Sequence, residues 1–182
     1  MKQAMINYVQ NDKFDDLYTP EYAVTPLINY LTTGLTIWEC TDFGDSKITK
    51  VLQDNNYVVT GTDIIKGFDF LNHTADFHFD MIITNPPYTK KNQFLAKCYE
   101  YDKPFALLLP LTALESAERG KLYKKYGISV IILDRRVNFS KTSNNVWFNT
   151  SWFCWNLDKL SNNSIVFEKL DIPIKDKKVK NK

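Results

Sequence analysis

The sequence predicts an α/β fold in which a mostly parallel sheet carries helices on both faces. Short apolar runs, typical of buried strands, alternate along the chain with segments whose apolar residues recur at helical spacing. No internal repeat or low-complexity linker divides the 182 residues, of which 44% are hydrophobic. This size and composition fit one domain with a substantial core, which we expect to cover residues 1–174.

The predicted elements follow one another in a regular order. Apolar runs predict six strands, at residues 35–40, 57–62, 79–84, 104–109, 128–133 and 146–157. Helical spacing predicts four helices, which begin near Thr19, follow the first strand around residues 48–52, and cover approximately 94–101 and 113–126. In the first helix we expect Thr19 as N-cap and Pro20 at the first helical position, with Pro26 either kinking the helix or marking a later start.

The segment Asn85-Pro86-Pro87-Tyr88 is the most informative motif. It follows the apolar run 79–84, at the carboxyl end of a predicted strand, where open α/β sheets bind their ligands. Consecutive prolines stiffen the backbone and donate no hydrogen bond, so the carbonyls there can accept bonds. An amide before them and an aromatic ring after them suit a planar group that carries an NH2.

This motif resembles the catalytic motif of S-adenosylmethionine-dependent methyltransferases that act on exocyclic or amide nitrogens. Adenine-N6 DNA methyltransferases, some RNA adenine methyltransferases and protein-glutamine methyltransferases belong to that group. The chain looks most like the small phage-type adenine-methyltransferase-like proteins, over residues 18–157. The resemblance implies a Rossmann-like class I methyltransferase fold, with a seven-stranded, mostly parallel sheet whose last strand runs antiparallel. It also implies S-adenosylmethionine as the cofactor.

The resemblance further implies a set of cofactor contacts. Similar methyltransferases carry an acidic residue, here Glu39, followed by Gly-x-Gly, but this chain has Gly44-Asp45-Ser46. An ordinary strand-to-helix turn explains that loop about as well, and it lacks the three glycines of a dinucleotide fingerprint. The implied cofactor residues are Tyr18, Thr19, Pro20, Glu39, Gly44, Ser46, Asp63, Ile64, Asp69, Phe70 and Asn85.

Several of these residues have an implied role. Asp63, after the second strand, would accept hydrogen bonds from ribose hydroxyls, and Ile64 would pack on the adenine ring. Asp69, beside Phe70, would accept from the adenine amine, and residues 18–20 would cover the methionine end. Both aspartates are also typical of plain loop or turn carboxylates.

The resemblance makes Asn85, Pro86, Pro87 and Tyr88 the catalytic residues. The Asn85 side-chain oxygen and the Pro86 carbonyl would accept from the substrate NH2, and Tyr88 would stack on the base. Other substrate contacts are expected from Phe148, with Trp147 as second choice, and from Arg135 and Arg136 on phosphates. Late aromatics are also common core residues, and the arginines fit a solvated loop equally well.

Charge and composition limit the partners. Five of the eight residues at 175–182 are lysines against one aspartate, a local +4, so the net charge of +2 leaves −2 for the rest. The body is therefore no strongly basic nucleic-acid binder, and the segment 175–182 is interpreted as a basic, disordered tail. With no segment left over for a separate target-recognition domain, we expect weak sequence specificity, a specificity partner or a homodimer.

Cysteine and histidine usage points to a reducing compartment without metal. Three well-separated cysteines and two histidines give no metal-ligand spacing, and they predict free thiols in the cytoplasm. No run is long enough to span a membrane, and the start lacks the apolar core of a signal peptide. The preferred function is methylation of adenine N6 in DNA, ahead of RNA. The alternatives are the same chemistry on RNA adenine or a protein glutamine amide, and a catalytically silent subunit that retains the cofactor fold.

Overall fold

A computed structural model describes residues 18–139 and 149–173. Two predicted features lie outside these ranges: the substrate-facing rings of Trp147 and Phe148, and the lysine-rich segment 175–182. The predicted strand at 146–157 is described from Asn149 onward.

Seven strands form one sheet in the described residues. They are β1 Thr36–Glu39, β2 Val58–Gly61, β3 Met81–Thr84, β4 Phe105–Pro110, β5 Ser129–Leu133, β6 Thr150–Trp155 and β7 Ile165–Glu168. Their spatial order is β2-β1-β3-β4-β6-β5-β7. Strand β6 is antiparallel to both of its neighbours, whereas every other pairing is parallel. The carboxyl ends of β1 to β5 therefore share one edge of the sheet, as predicted.

The last strand differs from the expectation. The resemblance implied an antiparallel last strand, but the antiparallel strand is β6, and β7 follows it parallel to β5. The sequence analysis missed β7 because it has only four residues and leaves two large apolar side chains in solvent. Ile165 and Phe167 are 59% and 74% exposed, so the strand lacks the buried pattern that marks its neighbours.

In the part of the chain that the structure describes, four α-helices cover the sheet, as predicted. They are α1 Glu21–Ile28, α2 Lys47–Asp54, α3 Lys91–Glu100 and α4 Ala117–Tyr126. The predicted cap of α1 was wrong by one residue. Pro20 occupies the N-cap position with an extended backbone and no side-chain cap bond, and Thr19 precedes it in a buried position. Pro26 lies inside α1, which ends two residues later at Ile28.

Helices cover both faces of the sheet, which confirms the predicted doubly wound architecture. On one face, apolar side chains of α1 and α2 such as Leu27 and Leu52 pack on inward residues of the central strands. On the other face, α3 contributes Phe94 and Leu95 to a second core. The central strands are therefore packed against buried side chains on both faces. This packing fixes the spacing between the carboxyl ends of neighbouring strands.

The second core is organised around Trp38 of β1. Its indole contacts the rings of Phe68, Phe70, Phe79 and Tyr101 at centroid distances of 4.9–5.7 Å. The indole N–H donates to the hydroxyl of a threonine just beyond β2, at 2.8 Å, so this buried polar atom is satisfied. The cluster anchors the segment between β2 and β3 against β1. No helix among the described residues has the length and apolarity to cross a membrane.

Candidate active site

A cleft of about 170 Å³ opens where β1, β2 and β3 end. It brings together all the implied cofactor residues except Pro20 and Gly44, and it includes Pro87 of the predicted catalytic motif. Its lining residues are Tyr18, Thr19, Glu39, Cys40, Thr41, Phe43, Ser46, Lys47, Ile48, Asp63, Ile64, Ile65, Asp69, Phe70, Leu71, Asn85, Pro87, Lys90 and Phe94. Segments far apart in the chain thus meet at the ligand edge of the sheet.

Asp42, which the sequence analysis did not single out, shapes the loop between β1 and α2. Its carboxylate is buried; Oδ1 accepts from the N–H of Gly44 at 2.7 Å and of Ser46 at 3.3 Å, and Oδ2 accepts from the Thr49 hydroxyl at 2.6 Å. On the adjacent strand, a Cβ at Gly61 would lie 2.6 Å from Asp42 Oδ2. A buried carboxylate, fitted against a glycine, therefore holds this loop.

The structure also explains the replacement of the second glycine by Ser46. Its hydroxyl accepts from the N–H of Thr49 at 3.4 Å, so Ser46 caps α2, while it also lines the cleft. Gly44 has a φ of 130°, in the left-handed region that side chains rarely adopt. The loop therefore needs a glycine at position 44 for its backbone, whereas position 46 has an extended-type backbone that suits a capping residue.

Glu39 ends β1 as a carboxyl that is 1% exposed. Its Oε1 accepts from the N–H and the hydroxyl of Thr41, at 3.0 and 2.9 Å, and from the hydroxyl of Thr84 at 2.7 Å. Burial raises the pKa of Glu39 above its ordinary value, and the bonds from Thr84 and Thr41 oppose this rise. The acid is thus a buried group on the cleft wall, tied to the ends of two neighbouring strands.

Thr41 and Thr84 also contact each other, since their hydroxyl oxygens are 2.7 Å apart. Together with Glu39 Oε1 these hydroxyls form a triangle of three oxygens, each within hydrogen-bond distance of the other two. The sequence alone does not indicate that the two threonines are neighbours. They meet in the folded chain because β1 and β3 are paired in parallel.

Asp63 and Ile64 follow β2 on the opposite wall. Asp63 Oδ1 accepts from the N–H of Ile65 at 2.7 Å and begins a 3₁₀ turn, Ile64–Lys66. Ile64 and Ile65 also line the cleft although they are 58% and 79% exposed. A carboxylate and two solvated apolar side chains at one lip form a surface that a ligand with hydroxyls and a flat ring would cover.

Asp69 and Phe70, which follow the 3₁₀ turn, form another part of the cleft wall. Asp69 accepts from the N–H of Leu71 at 3.0 Å and from the Asn72 amide at 2.6 Å. Partial burial raises the pKa of Asp69, but the hydrogen bonds from Asn72 and Leu71 oppose this, and the pKa lies below its ordinary value. Phe70 is 2% exposed and stacks on Phe94 with a centroid distance of 4.8 Å. Both residues line the cleft, with Asp69 also stabilising its own turn and Phe70 also serving the core.

Tyr18 and Thr19 reach the cleft from the segment before α1. The Tyr18 ring contacts that of Phe43 edge to face, at a centroid distance of 5.4 Å. Phe43 is 40% exposed and was not among the predicted residues. Phe43 follows Asp42 in the loop after β1. An aromatic residue in a loop at the ligand edge of the sheet is the sequence signal that could have identified it as a cleft residue.

The predicted catalytic motif follows directly from β3. Asn85 and Pro87 line the cleft, Pro86 is buried between them, and Tyr88 begins a 3₁₀ turn that ends at Lys90. The Asn85 side-chain oxygen is buried from solvent. Tyr88 is half-buried, packs on the second core and does not line the cleft. Asn85 and Pro87 of the motif therefore line the cleft, and the Tyr88 ring lies to one side.

A second cavity, of about 430 Å³, lies farther along the same edge, between the end of β5 and the start of β6. Arg135 and Arg136 both line it, so the predicted substrate arginines do not share the first cleft. Arg136 Nε donates to the side chain of Asn149 at 2.8 Å, and Arg135 lies 3.9 Å from Asp134. In the described part of the chain, no three His, Cys, Asp or Glu side chains group as metal ligands.

Comparison with known proteins relates the architecture to methyltransferase structures. No protein-family model and no curated protein matches the chain. A methyltransferase subunit of a type I restriction-modification system from Streptococcus thermophilus is similar, with a TM-score of 0.57, 17% identity and 85% of this chain covered. A structure from Listeria monocytogenes, described as a class I S-adenosylmethionine-dependent methyltransferase, has a TM-score of 0.55, 12% identity and 93% of this chain covered.

The chain spans 47% of the length of the Streptococcus structure and 71% of that of the Listeria structure. At such low identities the likeness concerns the course of the backbone and not individual side chains. Together with the seven-stranded, doubly wound sheet, it shows that this chain has the Rossmann-like fold of class I methyltransferases.

Proposed function

We propose that this protein transfers a methyl group from S-adenosylmethionine to an exocyclic amine, with adenine N6 in DNA as the preferred substrate. One observation carries the proposal: Asn85 and Pro87 share a single cleft with the acidic residues that end β1 and follow β2. An amide that can orient an amine thus lies beside a site with the acidic, apolar and aromatic groups that a nucleoside ligand needs.

The cleft residues fit the chemistry of S-adenosylmethionine. Asp63 would hold ribose hydroxyls, since its Oδ2 is not used by any hydrogen bond in the described residues. Ile64 would cover one face of the adenine ring, and Asp69 would accept from its amine. Tyr18 and Thr19 would enclose the methionine end beside Glu39. The bound cofactor would supply an activated methyl group on a sulfonium.

Asn85 and Pro86 would perform the orienting step. The Asn85 side-chain oxygen and the Pro86 carbonyl would each accept one N–H of the substrate amine, turning its nitrogen lone pair towards the methyl carbon. The substrate nitrogen, held by these two acceptors, would take the methyl group that the bound cofactor supplies, leaving the cofactor as a thioether, and would lose one proton to solvent. Because the donor is already activated, positioning supplies most of the rate enhancement. Tyr88 would stack on the base, with Phe148 or Trp147 on its other side.

The second cavity would bind the phosphate backbone of the DNA substrate. Arg135 and Arg136 lie on the same sheet edge as the cleft, and their guanidinium groups suit phosphate oxygens. A base from duplex DNA would have to flip out to reach Asn85, at a cost of a few kcal/mol. Stacking on an aromatic side chain would return about 1–3 kcal/mol.

The test is transfer of labelled methyl groups from S-adenosylmethionine to separate pools of DNA, RNA and protein. We expect label in DNA as N6-methyladenine. Asn85→Ala should retain the cofactor and lose transfer, because its amide contacts the substrate amine. Asn55→Ala is the matched control, since that amide caps α2 through the Val51 carbonyl, at 2.8 Å, at the far end of the helix.

Each pool distinguishes an alternative. Label in RNA or in protein glutamine, with none in DNA, would assign the same chemistry to a different substrate. Binding of S-adenosylmethionine without transfer to any pool would indicate a catalytically silent subunit. An Asn85→Ala variant that transfers methyl groups at the normal rate would contradict the role of the amide.

A further inference from the structure

We infer that Thr84 is a positioning residue, which ties the catalytic amide of Asn85 to the cofactor wall through its side-chain hydroxyl. Thr84 is fully buried and does not line the cleft, so a cofactor or substrate bound there would not contact its side chain. The inference rests on the proposed function, because it concerns how Asn85 is aligned for methyl transfer.

The first argument concerns the ladder between β1 and β3. Their backbone pairing runs from Ile37↔Met81 to Trp38↔Ile82 and stops there, two residues before Thr84 and three before Asn85. On its other side, β3 remains paired with β4 as far as Thr84↔Leu107. The end of β3 is therefore held to β4 by backbone bonds, but its spacing from β1 at the cleft depends on side chains.

The Thr84 hydroxyl makes that connection. It donates to Glu39 Oε1 at 2.7 Å and lies 2.7 Å from the Thr41 hydroxyl, and both of these partners line the cleft. Asn85, the next residue, lines the same cleft. A displacement of Glu39 or Thr41 on ligand binding is thus transmitted to the residue that precedes the catalytic amide, through bonds buried from water.

The Thr84 hydroxyl has a single proton to donate, so the hydrogen bonds of the triangle depend on one another. Three oxygen–oxygen contacts join Glu39 Oε1, Thr41 and Thr84, but the two hydroxyls carry only two protons. With Glu39 ionised, the two hydroxyl protons can complete only two of the three contacts as hydrogen bonds. The remaining contact has no proton between its two oxygens. Removing the hydroxyl therefore changes the whole triangle, whereas a serine would keep every oxygen and every proton.

The experiment compares Thr84→Val, which keeps the shape and loses the hydroxyl, with Thr84→Ser, which keeps the hydroxyl. We expect Thr84→Val to lower kcat about 10- to 100-fold with little change in KM for nucleic acid, as misalignment of a reacting group does. Thr84→Ser should recover kcat to within about threefold of the wild type.

Ser129→Ala is the matched control. Ser129 also carries a buried hydroxyl, which donates to the Ser161 carbonyl at 2.9 Å, but it begins β5 at the opposite edge of the sheet. Its loss should lower the melting temperature without lowering kcat. An equal loss of kcat in Ser129→Ala and Thr84→Val would overturn the inference, as would a Thr84→Val enzyme with the wild-type rate.

Two further measurements keep the test decisive. If Thr84→Val does not fold, Thr41→Val removes the other hydroxyl of the triangle, and normal kcat there overturns the inference. If the wild type methylates nothing, the proposed function fails, but hydrogen exchange still decides the structural claim. Thr84→Val should then speed amide exchange at Asn85 and at residues 88–91 more than Ser129→Ala does, and equal exchange in the two variants would refute the positioning role.

Discussion

At the β1–β3 end of the ligand edge, acidic side chains are buried and bonded to the chain around them, whereas at the β5–β6 end the charged side chains lie in solvent. Glu39 and Asp42 are 1% and 5% exposed, and each accepts several short bonds. The Arg135 side chain is 47% exposed, and among the described residues its charged partner is the carboxylate of Asp134, at 3.9 Å. The comparison teaches that buried, bonded acids give one end a fixed geometry, as the proposed small-ligand site requires, whereas the other end has solvated charge, as the proposed phosphate contacts require.

The largest effect should follow from removing Asp42. Asp42→Ala leaves the N–H groups of Gly44 and Ser46 and the Thr49 hydroxyl without their acceptor, and we expect a loss of about 2–4 kcal/mol in the free energy of unfolding. Urea denaturation measures it. Asp54→Ala, in which an exposed carboxylate on α2 is removed, should change stability by less than about 0.5 kcal/mol. Similar losses in both variants would remove the contrast between buried and exposed acids.

Glu39 should make stability depend on pH. Because burial raises its pKa in the folded protein above the unfolded value, folding favours the protonated acid. The destabilisation from the charged carboxylate is therefore absent at low pH and grows as the pH rises through the folded-state pKa. Glu39→Gln should gain stability relative to the wild type over the pH range above 4.5, the ordinary value for this acid, as read from urea denaturation at several pH values. A difference that stays constant over this range would show that Glu39 titrates normally.

Asp63 should affect the cofactor more than the fold. It is half-buried, and Asp63→Ala should weaken S-adenosylmethionine binding by about 1–3 kcal/mol in a calorimetric titration, the range for hydrogen bonds to a charged group. Asp158→Ala, which removes a carboxylate bonded to Thr32 near the start of β1, is the control. No binding by the wild type at millimolar cofactor would contradict the proposed function while leaving the fold unaffected.

The smallest effect is expected at the second cavity. Replacing Arg135 and Arg136 by glutamine should weaken nucleic-acid binding and reduce the slope of log affinity against log salt by up to about 2, one unit for each phosphate contact. The fold and cofactor binding should be retained. Replacing Lys121 and Lys124, exposed on α4, removes the same charge and should leave the slope unchanged. Equal slopes in all three proteins would exclude the arginines as phosphate contacts.

The sequence predicted the parts of the fold in which local pattern and burial agree. The six predicted strands and the four helices are present because each has an apolar run or stripe facing one of the two cores. Strand β7 escaped prediction because Ile165 and Phe167 face solvent, and the cap of α1 was displaced because Pro20 there has an extended backbone. Both errors concern positions where tertiary pairing or backbone geometry overrides residue preference.

The candidate site shows a similar division. The cleft collects the residues that follow strands, such as Asp63 and Asn85, because parallel strands end at one edge and a strand end can be recognised in the sequence. The Glu39–Thr41–Thr84 triangle could not be recognised, because its members are 45 positions apart at most and meet only through the alignment of β1 with β3. The separation of the arginines from the first cleft likewise depends on the position of β6 within the sheet order.

The central position of β6 has a consequence for synthesis on the ribosome. All residues that line the first cleft lie between positions 18 and 94, and β4 ends at Pro110, but β6, which covers the open side of β4, begins only at Thr150. At about 5–20 residues per second, the intervening stretch takes roughly 2–8 seconds to translate. During that interval all residues of the cleft would already be synthesised, and the wholly apolar β4 would lack its partner β6 on one side. Early cofactor binding and shielding by a chaperone would both favour correct completion of the sheet.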